Sequence, residues 1–260
     1  MTGQQPSYDD DDREAADDFF HELLRQVVAE SYSRSKSDCV ARALLCFLVR
    51  AANSWRSIRI LSKSATNEAE AEGMTIDAAT LLRATYDAYF QAEYLVQVPD
   101  QSEQRATDYF EFEHVDRYKR MKSVLNHDNW IAKRLKASPK RDAGESNNQV
   151  QFDRVKHRFF TKKSSIRNHW HSGNLRDVAK WLEKEDEYDT FLAAFNGCVH
   201  TSALASRFGP PISAGQVLSM ASIIAAKTLQ LNVAHNGINL QPTQKKVLDV
   251  LCSPLGDRGI

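Results

Sequence analysis

Glycine and proline are scarce in this chain, at 10 and 7 of 260 residues, against averages of about 7% and 5%. No glycine falls between Gly3 and Gly73, and no proline between Pro6 and Pro99. A β-sandwich, a barrel or a dinucleotide-binding unit needs turn residues in such spans, so the chain is expected to be all-α. Cysteine is sparse too. Cys39, Cys46, Cys198 and Cys252 form no Cys-x-x-Cys pair and no metal-ligand spacing. Cys39 and Cys46 stand two helical turns apart, as buried, reduced thiols on one face would. No basic and apolar leader opens the chain. The most apolar window, Val217–Val233, contains Ser219, Ser222, Lys227, Gln230 and Asn232. It is read as too short and too polar to span a bilayer. A cytoplasmic protein without a membrane partner is expected.

What is present is helical periodicity. Phe19, Phe20, Leu23, Leu24, Val27 and Val28 predict a helix over about Glu14–Tyr32, behind a flexible acidic tail at 1–12. Ser37 is the expected N-cap of a second helix with the stripe Val40, Leu44, Phe47, Leu48, Ala51, Trp55, Ile58 and Leu61. That helix should run to about Ala71 and end at Gly73. A third is expected over Thr75–Val98, stopping before Pro99, and a fourth from an Asp100/Glu103 capping box to about Leu125. Ala137–Gln149 reads as the clearest loop. Helices at Val150–Lys162, Asn174–Leu182, Asp186–Arg207 and Gly215–Ala234, and one after Pro242, complete a bundle of seven to nine. One helical domain is expected at 13–240, with a short helix and tail at 241–260.

Charge is balanced in total, 34 Lys+Arg against 34 Asp+Glu, but unevenly placed. Residues 1–30 carry nine acids and two bases; residues 117–171 carry 15 bases and four acids, a net +11. Trp130, Phe152, Phe159, Phe160 and Trp170, with His127, His157, His169 and His171, are interleaved in that basic stretch. Cations for phosphates and ring faces for unstacked bases are the chemistry that RNA or another polyanion requires. Lys133, Arg134, Lys140, Arg154, Arg158, Lys162, Lys163, Arg167 and Trp170 are the candidate contacts. His157, His169 and His171 have only Asp153 nearby and no second ligand pair. No Gly-rich phosphate loop, His-Glu-x-x-His or Gly-x-Ser-x-Gly motif occurs. No metal or other cofactor is expected.

Two polar intrusions stand out on apolar helix faces. At about 100° per residue, Arg83 falls inside the stripe of Ala79, Tyr86 and Phe90, with Asp87 one turn on. A pair facing solvent would contribute only about 0.3–0.5 kcal/mol, whereas a buried one must be satisfied by further partners. Arg83 and Asp87 are therefore expected to be buried and paired, in an internal network or lining a cleft. Further on, Asn196 and His200 lie together beside the stripe of Tyr188, Phe191, Leu192, Phe195 and Val199. His200, followed by Thr201 and Ser202, is the candidate general acid/base.

Leu82-Arg83-Ala84-Thr85-Tyr86-Asp87-Ala88-Tyr89 resembles the Arg-x3-Glu helix of the helical family catalogued as domain of unknown function 5677. Trp170-His171-Ser172-Gly173, Arg176, Tyr188 and Val199-His200-Thr201-Ser202 resemble that family's second block. Asp87 stands where the family has Glu, and Thr201 where it often has Gly. The resemblance covers about residues 40–206 and implies the helical fold and the residue cluster, with no established chemistry. A weaker analogy links the chain to HEPN-type ribonuclease domains of toxin and defence systems. These are all-helical and metal-independent, and pair an arginine with a histidine. Arg120 and His127 have a matching spacing, though Met121 replaces the usual polar neighbour.

The functional expectation is an RNA-targeting, RNA-cleaving toxin or antiviral-defence effector with catalytic His200, Arg83 and Asp87. The alternative is a non-enzymatic helical subunit that binds a partner protein or nucleic acid through the basic segment; a protein partner or a homodimer is the further expectation.

Overall fold

The structure is a computed structural model and describes residues 10–64, 68–137, 142–161, 165–199 and 213–252. It is all-α. Among the described residues no strand forms; one antiparallel bridge joins Phe160 and Ile166. The helices are α1 (Asp10–Arg34), α2 (Cys39–Ser64), α3 (Glu68–Val96), α4 (Pro99–Asn126), α5 (Trp130–Lys136) and α6 (Asp142–Val155). A 3-10 turn at Lys156–Phe159 follows, then α7 (Leu175–Trp181), α8 (Glu185–Val199), α9 (Ala214–Asn236) and α10 (Pro242–Cys252). The chain divides into two compact units, 1–99 with 175–260, and 100–174.

In the first unit α2, α3 and α9 pack on one another, α7 and α8 lie on α3, and α10 joins α1 and α9. Phe20, Leu24, Leu48, Trp55, Phe90, Phe195 and Leu229 are fully buried in its core. Trp55 cannot bury its indole N–H unpaired; Nε1 donates to Ser222 Oγ at 2.9 Å, and Ser222 donates to Asp17 Oδ1 at 2.8 Å. This relay ties α2, α9 and α1. Asn232 in α9 likewise spans to the Leu44 carbonyl of α2, at 3.2 Å. By length and composition α9 could cross a bilayer, contrary to the reading of Val217–Val233, but half of its apolar window is buried inside the protein.

Several boundaries differ from those expected. Asp38, and not Ser37, caps α2: its Oδ1 accepts from the backbone N–H groups of Val40 and Ala41, at 2.8 and 3.0 Å. α2 ends at Ser64, and Gly73 lies inside α3. A Cβ at Gly73 would meet nothing within 4 Å, so this exposed glycine interrupts no packing; it costs the helix only about 1 kcal/mol. Pro99 opens α4, where its missing N–H is harmless, which places Asp100 in the first turn and not at the cap. The expected loop at 137–149 gives way to helix from Asp142 onward. Cys39 and Cys46 do share a face, but Cys46 is exposed with Arg42, Val49 and Arg50, because the buried stripe runs down the opposite side of α2. Phe19 is also exposed; the stripe of α1 turns through Phe20.

In the 100–174 unit, Phe112 and Phe159 meet edge to face at 5.3 Å, and Tyr118 stacks on Phe152 at 3.8 Å. Val115, Val155 and Phe159 are buried.

Candidate functional site

Where α3 meets α8 the side chains form an aromatic seam. Tyr86 stacks on Phe191 with centroids 3.7 Å apart and planes at 6°, and Phe90 tilts against Tyr188 at 5.7 Å. The seam is set in place by the turn between α7 and α8. Glu183 adopts a left-handed φ of 59° there, a conformation usually left to glycine. The Glu183 N–H donates to the Lys180 carbonyl, and the Lys184 N–H reaches back to the Ala179 carbonyl at 2.8 Å.

Two ionic groups flank the seam. Arg83 pairs with Asp87 one turn along α3, with only 13% and 26% of the two side chains exposed. Arg83 Nη2 also donates to Tyr188 Oη at 3.3 Å, and the guanidinium lies 5.6 Å from that ring's centroid. Burial pulls the Arg83 pKa down, while the Tyr188 hydroxyl opposes this. The same burial raises Tyr188, against the pull of Arg83. The second group is Lys184, which donates to Glu93 Oε1 and Oε2 at 2.5 and 2.7 Å and to Tyr89 Oη at 3.0 Å. Burial, reinforced by the Glu93 carboxylate, holds the Tyr89 phenol protonated well above its ordinary range. Arg176, exposed on α7, makes a bidentate pair with Asp189 and reaches Glu185.

Beside the seam, α3, α8 and α9 enclose a cavity of about 420 Å³. Tyr86, Tyr89, Phe191, Phe195, Met220, Ile223 and Ile224 form its apolar wall, with Thr190, Asp186, Glu187 and Lys227 as its polar lining. Tyr86 is 2% exposed, and its hydroxyl completes no hydrogen bond among the described residues. Burial and the facing Glu187 carboxylate raise its pKa far above the usual phenol value.

The structure thus joins Arg83, Asp87 and Tyr188, drawn from both blocks of the family resemblance and up to 105 residues apart. His200 lies outside the described residues, directly after α8, and so do Lys140, Lys162 and Lys163.

The remaining basic candidates divide sharply. Lys133, Arg134 and Arg154 are exposed on their helices. Arg158 is instead held by Asp108 and Glu111, with 26% of its side chain exposed. Arg167 is half-buried; its carbonyl accepts from Lys119 and its N–H donates to Phe159. Trp170, expected as a stacking platform, is only 5% exposed and stands edge-on to Tyr109. A buried indole cannot offer a face to a base. Trp130, by contrast, is 73% exposed. Arg120 is exposed in α4, and His127 is exposed just past its end. Among the described residues no three His, Cys, Asp or Glu side chains gather as a metal site.

Sequence reasoning missed the Lys184–Glu93 pair and the cavity. The first joins residues 91 apart with no local signal. The second had one signal: Lys227 is the only Asp, Glu, Lys or Arg in α9.

Compared with known proteins, the chain matches no curated protein and no solved structure. The profile of a family described as a family of unknown function, DUF5677, matches residues 41–210. That match takes in α3 with Arg83 and Asp87 and α8 with Tyr188, and the chain belongs to the DUF5677 family.

Proposed function

We propose that this chain is a cytoplasmic RNA-targeting protein, of the toxin or antiviral-defence kind, that holds single-stranded RNA on the exposed cations and indole of its 100–174 unit. One observation carries this reading. On α5 the exposed Trp130 is followed at helix-neighbour positions by exposed Lys133 and Arg134. An open indole face beside two cations suits an unstacked base and its flanking phosphates, and such a stack contributes about 1–3 kcal/mol.

Cleavage is the second part of the proposal. Arg83, fixed by Asp87 and Tyr188, would steady a phosphate, and His200 would take the proton of the attacking 2′-hydroxyl. The 2′-oxygen bonds to phosphorus as the bond to the 5′-oxygen breaks. The leaving 5′-oxygen takes up a proton from solvent water, and a 2′,3′-cyclic phosphate remains. The His200 imidazolium returns its proton to solvent, and the step requires no metal. The commitment of Arg83 to Asp87 and Tyr188 also favours a second reading, a non-enzymatic RNA-holding subunit in which that cluster is structural.

The test incubates the purified full chain with single-stranded RNA in the presence of a chelator, alongside His200→Ala. Cleavage by the wild type, and a loss of about 10²–10⁴ in rate for the variant with RNA retention unchanged, is the expected result. Retention without cleavage would leave the holding subunit as the reading. An absence of retention would overturn both.

A further inference from the structure

α9 is an apolar helix, and within Ala214–Asn236 Lys227 is its only Asp, Glu, Lys or Arg. Lys227 is half-buried and lines the α3–α8–α9 cavity. Its ammonium lies 5.7 Å from the centroid of the Tyr89 ring, and no carboxylate pairs with it among the described residues. The contrast with its neighbours is informative. Arg83 has Asp87, Arg176 has Asp189, and Lys184 has Glu93. A half-buried ammonium in an apolar wall is costly unless a counter-charge reaches it. The ring face of Tyr89 supplies only part of that, about 0.5–2 kcal/mol.

Asp186 and Glu187 are the acidic members of the lining, and both are exposed to water. The Glu187 carboxylate faces the Tyr86 hydroxyl, and no ion pair joins either acid to Lys227 among the described residues. The apolar wall is formed by Tyr86, Phe191, Phe195, Met220, Ile223 and Ile224. A volume of about 420 Å³ falls within the roughly 300–1,000 Å³ of small-molecule sites.

We infer that this cavity binds a small organic carboxylate with an apolar, ring-containing body: the body lies against the aromatic and aliphatic wall, and the carboxylate pairs with Lys227. The site is independent of the RNA reading, because it uses neither the basic segment nor Arg83 or His200.

The probes are 2-naphthoate and 2-naphthylmethylamine, which share a body and differ in the sign of the head group. Each is titrated into the full chain and into Lys227→Met, whose unbranched apolar side chain suits the same wall. Naphthoate should bind the wild type at least about tenfold more tightly than the amine, and Lys227→Met should abolish that preference. Met220→Trp, which fills the cavity while keeping Lys227, should weaken both probes by about tenfold or more. It also keeps the question answerable if Lys227→Met does not fold. Equal or tighter binding of the amine, naphthoate affinity unchanged in Lys227→Met or in Met220→Trp, or no binding of naphthoate at about 1 mM would each overturn the inference.

Discussion

The two units use their charged residues in opposite ways. In the first, two cations at the α3–α8 seam are locked, Arg83 to Asp87 and Tyr188 and Lys184 to Glu93 and Tyr89, with most of each side chain out of water. In the second, Lys133 and Arg134 stand in solvent beside an indole that is 73% exposed. Lys133 has only a loose contact with Asp128, at 3.5 Å between two well-exposed side chains. Locked charges fix how helices pack, whereas solvated charges contribute almost nothing to the fold and remain open to a partner. Arg158, held by Asp108 and Glu111, is one exception in the second unit and shows that a high basic count does not measure available charge.

Substitutions can break that contrast, beginning with the largest expected effect. Arg83→Ala strands the Asp87 carboxylate in the seam and should lower stability by about 3 kcal/mol, measured by denaturant unfolding. A loss below about 0.5 kcal/mol would mean that the pair is solvated and the contrast false. Arg158→Ala strands two carboxylates, but these are about a quarter exposed; a loss of about 2 kcal/mol is expected after allowing for screening.

Asp38 sharpens the comparison from another direction, because its charge serves the backbone. Asp38→Ala should cost about 1 kcal/mol at neutral pH through loss of the α2 cap. Burial works to raise the Asp38 pKa, but hydrogen bonds from Ala41, His235 and Val40 outweigh it and hold the group below its ordinary 3.8. Its contribution is thus fully present above 3.8 and fades as pH falls through the depressed value. Stability curves of wild type and variant should converge in acid. Parallel curves down to about pH 2 would remove the carboxylate from the account. The smallest effect on stability belongs to Trp130→Ala, within about 0.5 kcal/mol, even though single-stranded RNA should bind about tenfold more weakly. A clear loss of stability would show that the indole is part of the fold.

How legible each feature was in the sequence follows from the range of the interactions behind it. The helical class, and the stripe containing Trp55 and Ile58, came from periodicity within single helices. The Arg83–Asp87 pair was visible because both partners lie on one helix, a turn apart. Trp170 and Trp130 were indistinguishable by composition; the packing of Tyr109 and His171 edge-on against Trp170 separates them. Cys39 and Cys46 show the same limit, since spacing gives a shared face but not whether that face is the buried one. Residues 142–149 read as loop from their Gly, Ser and Asn content, yet they lie in α6. Low local propensity was outweighed there by the packing of the helix that carries the buried Phe152 and Val155.

The central claim is that the exposed cations and indole of the 100–174 unit hold RNA. It is tested most directly by titrating the purified full chain with single-stranded RNA across a range of salt, beside Trp130→Ala and a Lys133→Ala/Arg134→Ala double variant. Binding should weaken with a log–log slope of about 0.7 per contacted phosphate, and the double variant should reduce that slope by roughly 1–1.5. Trp130→Ala should lower affinity with the slope unchanged. Absence of binding at about 50 mM salt, or wild-type affinity and slope in both variants, would contradict the claim.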